Sequence, residues 1–203
     1  MEFIKYRLTS DMLCMGERIK KGTFRPTIRT IPYTQITGAL KAVFGDNDIH
    51  AVGHLVEDKK HNKVDYLTYS PRDRGIETSK LPLTIEFLTG VLGSIYIVKN
   101  EVTKDFAEEF EIRMGAMKSR GFGLCTLKKL TELNDSRPER DRGVLNTRIP
   151  EEHLETFGVS GVIKPVYGFL FKPLSDTSGV YVRSLFEGSE IAGPKFLLEH
   201  GGK

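Results

Sequence analysis

Gly115-Ala116-Met117-Lys118-Ser119-Arg120-Gly121-Phe122-Gly123 lies between a segment with helical apolar spacing and a segment that reads as a strand. Its glycines let the backbone adopt positive φ and bring N–H groups close to a ligand. Lys118 and Arg120 add cations and Ser119 a hydroxyl, a combination suited to phosphate oxygens. The loop precedes a strand, so it is not a dinucleotide fingerprint, and it lacks the Gly-Lys-Ser/Thr ending of a Walker loop. Arg120-Gly121-Phe122-Gly123 matches the opening of the central octamer of RNA-recognition modules. Leu124 and Leu127 stand where that octamer needs aromatics, and the position before a last strand is also wrong for it. A plain connection, with Gly115 as helix cap and Gly121 as turn, is the simpler alternative.

Working outward, Phe3 to Leu13 reads as a strand, and Gly22 and Pro26 mark residues 16–30 as a loop. Pro32 opens a helix whose Ile36, Leu40, Val43 and Phe44 share one face, with Gly45 as C-cap. Gly38 in its interior costs roughly 1 kcal/mol relative to alanine, which implies that something approaches the backbone there. His50–Glu57 and Lys63–Tyr69 predict a hairpin, and Leu81–Leu88 with Leu92–Val98 a second strand pair. Phe106, Phe110, Ile112 and Met114 predict a second helix, N-capped by Thr103 or Asp105. Leu124–Leu130 closes the series as a strand. The order is βαββαβ with an inserted hairpin, an α+β, ferredoxin-like (RRM-like) domain.

That domain is expected over residues 1–131, followed by a charged connector at 132–148 and a small β-rich part at 149–203. In the last, Gly161–Phe171 and Gly179–Phe186 read as strands. The chain has 203 residues and 39% hydrophobic composition, enough for a real core. Its net charge of +3 is mild, but Gly16–Arg29 holds Arg18, Lys20, Lys21, Arg25 and Arg29 against Glu17 alone. Such a run suits a polyanion, or is simply a solvated loop. Cys14 and Cys125 lack CxxC spacing and sit in apolar runs, so buried thiols in a reducing compartment are expected. Early charges argue against a signal peptide, and no apolar run approaches membrane-spanning length, so a cytoplasmic location without membrane partners is expected.

Ile31-Pro32 followed by Thr37-Gly38-Ala39-Leu40-Lys41, and the glycine-rich loop ending Gly121-Phe122-Gly123, together resemble the CRISPR-associated RAMP superfamily (repeat-associated mysterious proteins). Both segments occur in the order and at the structural positions seen in that family. The resemblance covers residues 1–131; Pro165–Phe171 and Gly179–Val182 extend it suggestively. It implies a CRISPR RNA-binding subunit of a multi-protein effector, working in antiviral defence with other Cas subunits and needing no cofactor. A family-five subunit, which grips the 5′ handle of the guide, is the best match, and family-seven backbone subunits are similar. The resemblance further implies that Lys118, Ser119, Arg120, Gly121, Phe122 and Gly123 hold RNA phosphates. Arg18, Lys20, Lys21, Arg25 and Arg29 would track the strand, and Thr37 and Lys41 would stand at the helix. Tyr33 or Phe24 stacks a base or belongs to the core.

Some relatives in the superfamily cleave RNA without metal, using histidine as general acid/base. No residue is assigned as catalytic, and His50, His54 and His61 are the alternative should the chain be an endoribonuclease. Asp46, Asp48, His50 and His54 do not make a metal-ligand pattern. A protein-interaction domain that binds no RNA is the third possibility.

Overall fold

Phe3–Leu13 forms strand β1 with the predicted bounds, and Ile4, Tyr6, Leu8 and Leu13 point into the core. The computed structural model describes residues 2–16, 22–72, 75, 78–130, 138–175 and 178–199. After β1 come β2 (Phe24–Arg25), helix α1 (Tyr33–Phe44), β3 (Ala51–Leu55), β4 (Lys63–Tyr69), β5 (Leu83–Val98), β6 (Glu109–Arg113) and β7 (Leu124–Lys129). They build one seven-stranded sheet. Within it the order β7-β1-β5-β3 is antiparallel at every step, the arrangement of a ferredoxin-like sheet. β2 adds a short parallel pairing to Thr84 and Ile85.

Helix α1 begins after Pro32, which lacks the N–H that would go unpaired there. It ends at Gly45, whose φ of 73° and N–H bond to the Lys41 carbonyl form a left-handed C-cap. Ile36, Ala39 and Leu40 pack against the sheet in a core that includes Tyr6, Leu8, Ile95, Ile97 and Leu127. Val43 stays half exposed, whereas Phe44 stacks on Phe106 with ring centroids 4.0 Å apart.

Three elements differ from the expected pattern. The predicted pair at 81–88 and 92–98 is one 16-residue strand, β5, which runs through Gly90 at φ 57°. β3 and β4 are not a hairpin; they lie end to end along β5, pairing with 93–97 and 83–89. Asn62 plugs the gap, its amide bonding the carbonyls of Val56 and Leu92 and the N–H of Leu92. The second helix does not form either: Asn100 caps a turn, and 109–113 becomes β6 on the free edge of β7. Its Phe110 and Ile112 face the core by strand alternation, while only Phe106, Phe110 and Met114 keep the four-residue spacing of a helix.

The rest of the chain covers the second face of the sheet. Residues 140–144, expected in the connector, form β8 (Arg140–Val144), and residues 132–137 lie outside the described residues. β9 (Ile149–Pro150), β10 (Gly161–Lys164), β11 (Tyr167–Pro173), β12 (Gly179–Leu185) and β13 (Glu190–Pro194) follow. They form two small sheets, β10-β13-β8 and β11-β12-β9. Leu145, Ile149, Phe157, Leu185, Ile191 and Phe196 share one apolar cluster with Tyr33 and Val52, and Phe3 and Tyr96 pack against it. Both cysteines are free and buried, and burial pushes the Cys125 thiol up to about 11.

Candidate nucleic-acid interface

The glycine-rich loop is tied to the end of β1. Ala116 N–H donates to the Cys14 carbonyl at 2.7 Å and Gly123 N–H to the Met12 carbonyl at 2.8 Å. Two of its glycines are demanded by this packing. A Cβ on Gly115 would stand 2.5 Å from the Cys14 oxygen, and one on Gly123 would stand 2.1 Å from the Met114 oxygen. Both have positive φ, as does Met117. Phe122 is buried against Phe87 at a centroid distance of 4.9 Å and anchors the loop. The Arg120 guanidinium lies 3.9 Å above the Tyr69 ring, while Lys118, Ser119 and Gly121 are exposed.

A groove of about 690 Å³ opens beside this loop. Gly115, Ala116 and Lys118 line one side; Thr34, Gln35 and Gly38 of α1 line another; Phe169, Phe171 and Tyr181 of β11 and β12 line a third. Gly16, the threshold of the basic segment, forms part of its floor. The two segments that carry the family resemblance therefore meet in one cavity. Its charged lining residues are Lys118, which is exposed, and Arg148, whose guanidinium is held by the Glu187 carboxylate at 2.7 and 2.6 Å. A Cβ added at Gly38 would meet nothing within 4 Å, so no neighbour in the described protein requires that helix-interior glycine. Gln35 Oε1 is buried without a hydrogen-bond partner among the described residues.

Other predicted positions lie elsewhere. Arg29 is exposed and its guanidinium is 3.7 Å from Glu86, a buried carboxylate that also accepts the Thr27 N–H. Arg25 is half-buried at β2, and Phe24 is exposed with its ring 6.5 Å from that of Tyr66. Arg18, Lys20 and Lys21 lie outside the described residues. Tyr33, Thr37 and Lys41 follow one another on a stripe of α1 next to that of Gly38, about 100° round the helix from it. Tyr33 and Thr37 are buried, and Thr37 Oγ1 bridges the Ala51 N–H and carbonyl at 3.0 and 3.1 Å. Lys41 is partly buried, and burial together with nearby Lys172 lowers its pKa.

The expected histidines separate. His61 bonds Asp58 at 2.6 Å in an exposed loop, and His54 stacks on Tyr96. His50 instead meets His153, a residue sequence reasoning missed because 103 positions separate them. Their ring centroids are 4.9 Å apart, and Tyr33 packs on His153 at 4.6 Å. Tyr33 Oη lies 2.7 Å from His50 Nδ1. Burial raises the Tyr33 pKa, so its hydroxyl stays protonated and donates, leaving the His50 proton on Nε2. Burial lowers both histidine pKa values, with Lys41 adding to the effect at His50 and His50 at His153. The pair is a neutral packed seam between α1, β3 and the 3-10 turn at Glu151–His153. Among the described residues no group of three or more His, Cys, Asp and Glu could hold a metal ion. No helix among them is long and apolar enough to cross a membrane.

No family model matches the sequence. No curated protein matches it either. Solved structures do. A chain in the cryo-EM structure of the Type III-B Cmr-beta bound to cognate target RNA and AMPPnP, state 1, superimposes with a TM-score of 0.59 at 10% identity. The match covers 95% of this chain and 86% of that one. The Type III-B Cmr-beta bound to cognate target RNA matches over the same shares with a TM-score of 0.55 at 10% identity. At such identities the likeness establishes the fold: the ferredoxin-like sheet and the β-rich remainder occur together, in one chain, in both.

Proposed function

We propose that the chain is a RAMP-superfamily subunit of a multi-protein CRISPR effector, binding guide RNA in the cytoplasm beside other Cas subunits. The carrying observation is the groove. It gathers the Pro32–Lys41 helix start, the glycine-rich loop and Gly16 at the head of the basic segment, and it is lined by the exposed cation Lys118. The fold supports the same reading, since the chains it resembles belong to the Type III-B Cmr-beta, bound to cognate target RNA. Lys118 and the loop's exposed backbone would take phosphates, with Arg29 and the basic segment following the strand. Arg120 stacks on Tyr69 and holds the loop to β4, so its role is first to position Lys118.

The test is titration of a single-stranded repeat RNA across a salt series. Affinity should fall log-linearly with salt, with a slope of about −0.7 per phosphate neutralised. Lys118→Glu should weaken binding about tenfold or more without lowering the melting temperature; unchanged affinity would sink the reading.

A metal-independent endoribonuclease is the second reading, favoured by one observation: His50 and His153 stand in ring contact with Tyr33. Cleavage of repeat RNA in EDTA, lost in His153→Ala, would carry it. The seam's burial argues instead for packing, and no cleavage is the expected result.

A further inference from the structure

β11 and β12 pair so that Phe169 faces Arg183, Phe171 faces Tyr181 and Tyr167 faces Leu185. Alternation puts Tyr167, Phe169 and Phe171 on one side of β11, and cross-strand pairing adds Tyr181 and Arg183 to that side. This aromatic row is exposed: Phe169 keeps 66% of its surface in solvent, Tyr181 49% and Tyr167 45%. Phe169, Phe171 and Tyr181 line the groove that Lys118 and Gly38 also line. The Arg183 guanidinium lies 3.8 Å over the Tyr167 ring, so the row ends in a cation held flat on an aromatic face. We propose that the β11–β12 hairpin is a base-stacking wall, taking unpaired bases of a single-stranded RNA whose phosphates lie on Lys118 and the glycine-rich loop.

The inference rests on the RNA-binding reading and adds the form of the ligand to it. An apolar protein segment would bury Lys118 with no carboxylate on the groove lining to pair it, whereas Arg148 already holds Glu187 through two hydrogen bonds. A nucleic acid satisfies both features at once, with a phosphate for Lys118 and π-faces for the rings. Same-face residues on a strand stand about 6.7 Å apart, so neighbouring rings address different bases. Bases stacked inside a duplex cannot reach such rings, and side chains cannot read an RNA duplex through its narrow major groove. The ligand is therefore a single strand with splayed bases.

Fluorescence anisotropy with two labelled RNAs of equal length tests this, one with its bases and one abasic throughout. Wild-type protein should bind the intact strand about tenfold more tightly or better. Phe169→Ala/Tyr181→Ala should erase that difference and leave abasic affinity unchanged, while Lys118→Glu weakens both strands alike. Phe169→Leu/Tyr181→Leu, which keeps the bulk and loses the rings, should abolish quenching of 2-aminopurine placed in the strand. Equal wild-type affinity for both RNAs, or a difference that survives in the ring variants, overturns the stacking wall while leaving the phosphate reading standing. A wild type that binds neither RNA removes the RNA reading itself. Ring variants that change only self-association would make the hairpin a contact between protein copies and also overturn the inference.

Discussion

The two sides of helix α1 meet the C-terminal half of the chain in opposite ways. Thr34, Gln35 and Gly38 look into an open groove with Lys118 on its lining. Tyr33 and Thr37, one residue out of phase, are sealed against β3 and the His50–His153 pair. The open side spends helix stability on a bare glycine, and the closed side pairs Tyr33 with His50 and Thr37 with the Ala51 backbone. On the proposed reading the difference separates residues placed for a ligand from residues placed for the fold, although both stretches carry polar residues in sequence.

Substitutions can break that contrast at graded strengths. Gly123→Ala should have the largest effect. Its methyl would enter the Met114 carbonyl at φ 80°, costing roughly 2–4 kcal/mol in urea unfolding and collapsing the groove's loop wall. Thr37→Val removes the hydroxyl that alone answers the outward-facing Ala51 N–H, a loss of about 1–3 kcal/mol. RNA affinity should stay within about twofold, and a larger fall would show that the closed side reaches the ligand after all. Gly38→Ala should move the two readouts apart: stability rises by up to about 1 kcal/mol while RNA affinity drops several-fold. A variant that gains stability and keeps its affinity would mean the open side receives nothing.

The mildest probe is pH. His50 and His153 have folded pKa values below their unfolded value of about 6.5. Below about pH 6.5 the unfolded chain therefore binds protons that the folded chain refuses. Stability should be full above that pH and decline as pH falls through the window beneath it. Urea midpoints measured at several pH values should show the slope, and His153→Gln should flatten it. RNA binding to the open side should show no matching inflection from these two groups.

β1 and α1 were legible because their signals are local: alternation around Tyr6 and Leu8, a proline entrance, a glycine exit. The glycine loop was legible as a turn, and its three glycines do adopt positive φ, but that it meets the α1 entrance in one groove was not read from the sequence. What could not be read was which partner each segment would find. Phe106, Phe110 and Met114 fit a helix until the open edge of β7 claims Phe110 and Ile112 as a strand. β3 and β4 look like a hairpin until a 16-residue strand offers both a place on one edge. On α1, polarity drew attention to Tyr33, Thr37 and Lys41, yet only the packing of the distant chain decides which side of the helix stays open. His153 and the β11–β12 aromatics were invisible as site residues for the same reason: His153 lies 103 positions from His50, and Phe169 lies 51 from Lys118 and 131 from Gly38.

β5 has a consequence for how the molecule comes into being. β1, β2, β3 and β4 all pair with β5. Apart from single bridges at Gly16–Thr27, Ile31–Gly53 and Arg72–Ser79, the described residues before it make no ladder with one another. A nascent chain therefore carries its first four strands without a lasting partner until Leu83–Val98 has left the ribosome. Folding must then close separations of up to about ninety residues in a single condensation, the kind of long-range closure that makes sheets slow and exposes their edges. A partner that bound the first strands while the chain was being made would shorten that exposure.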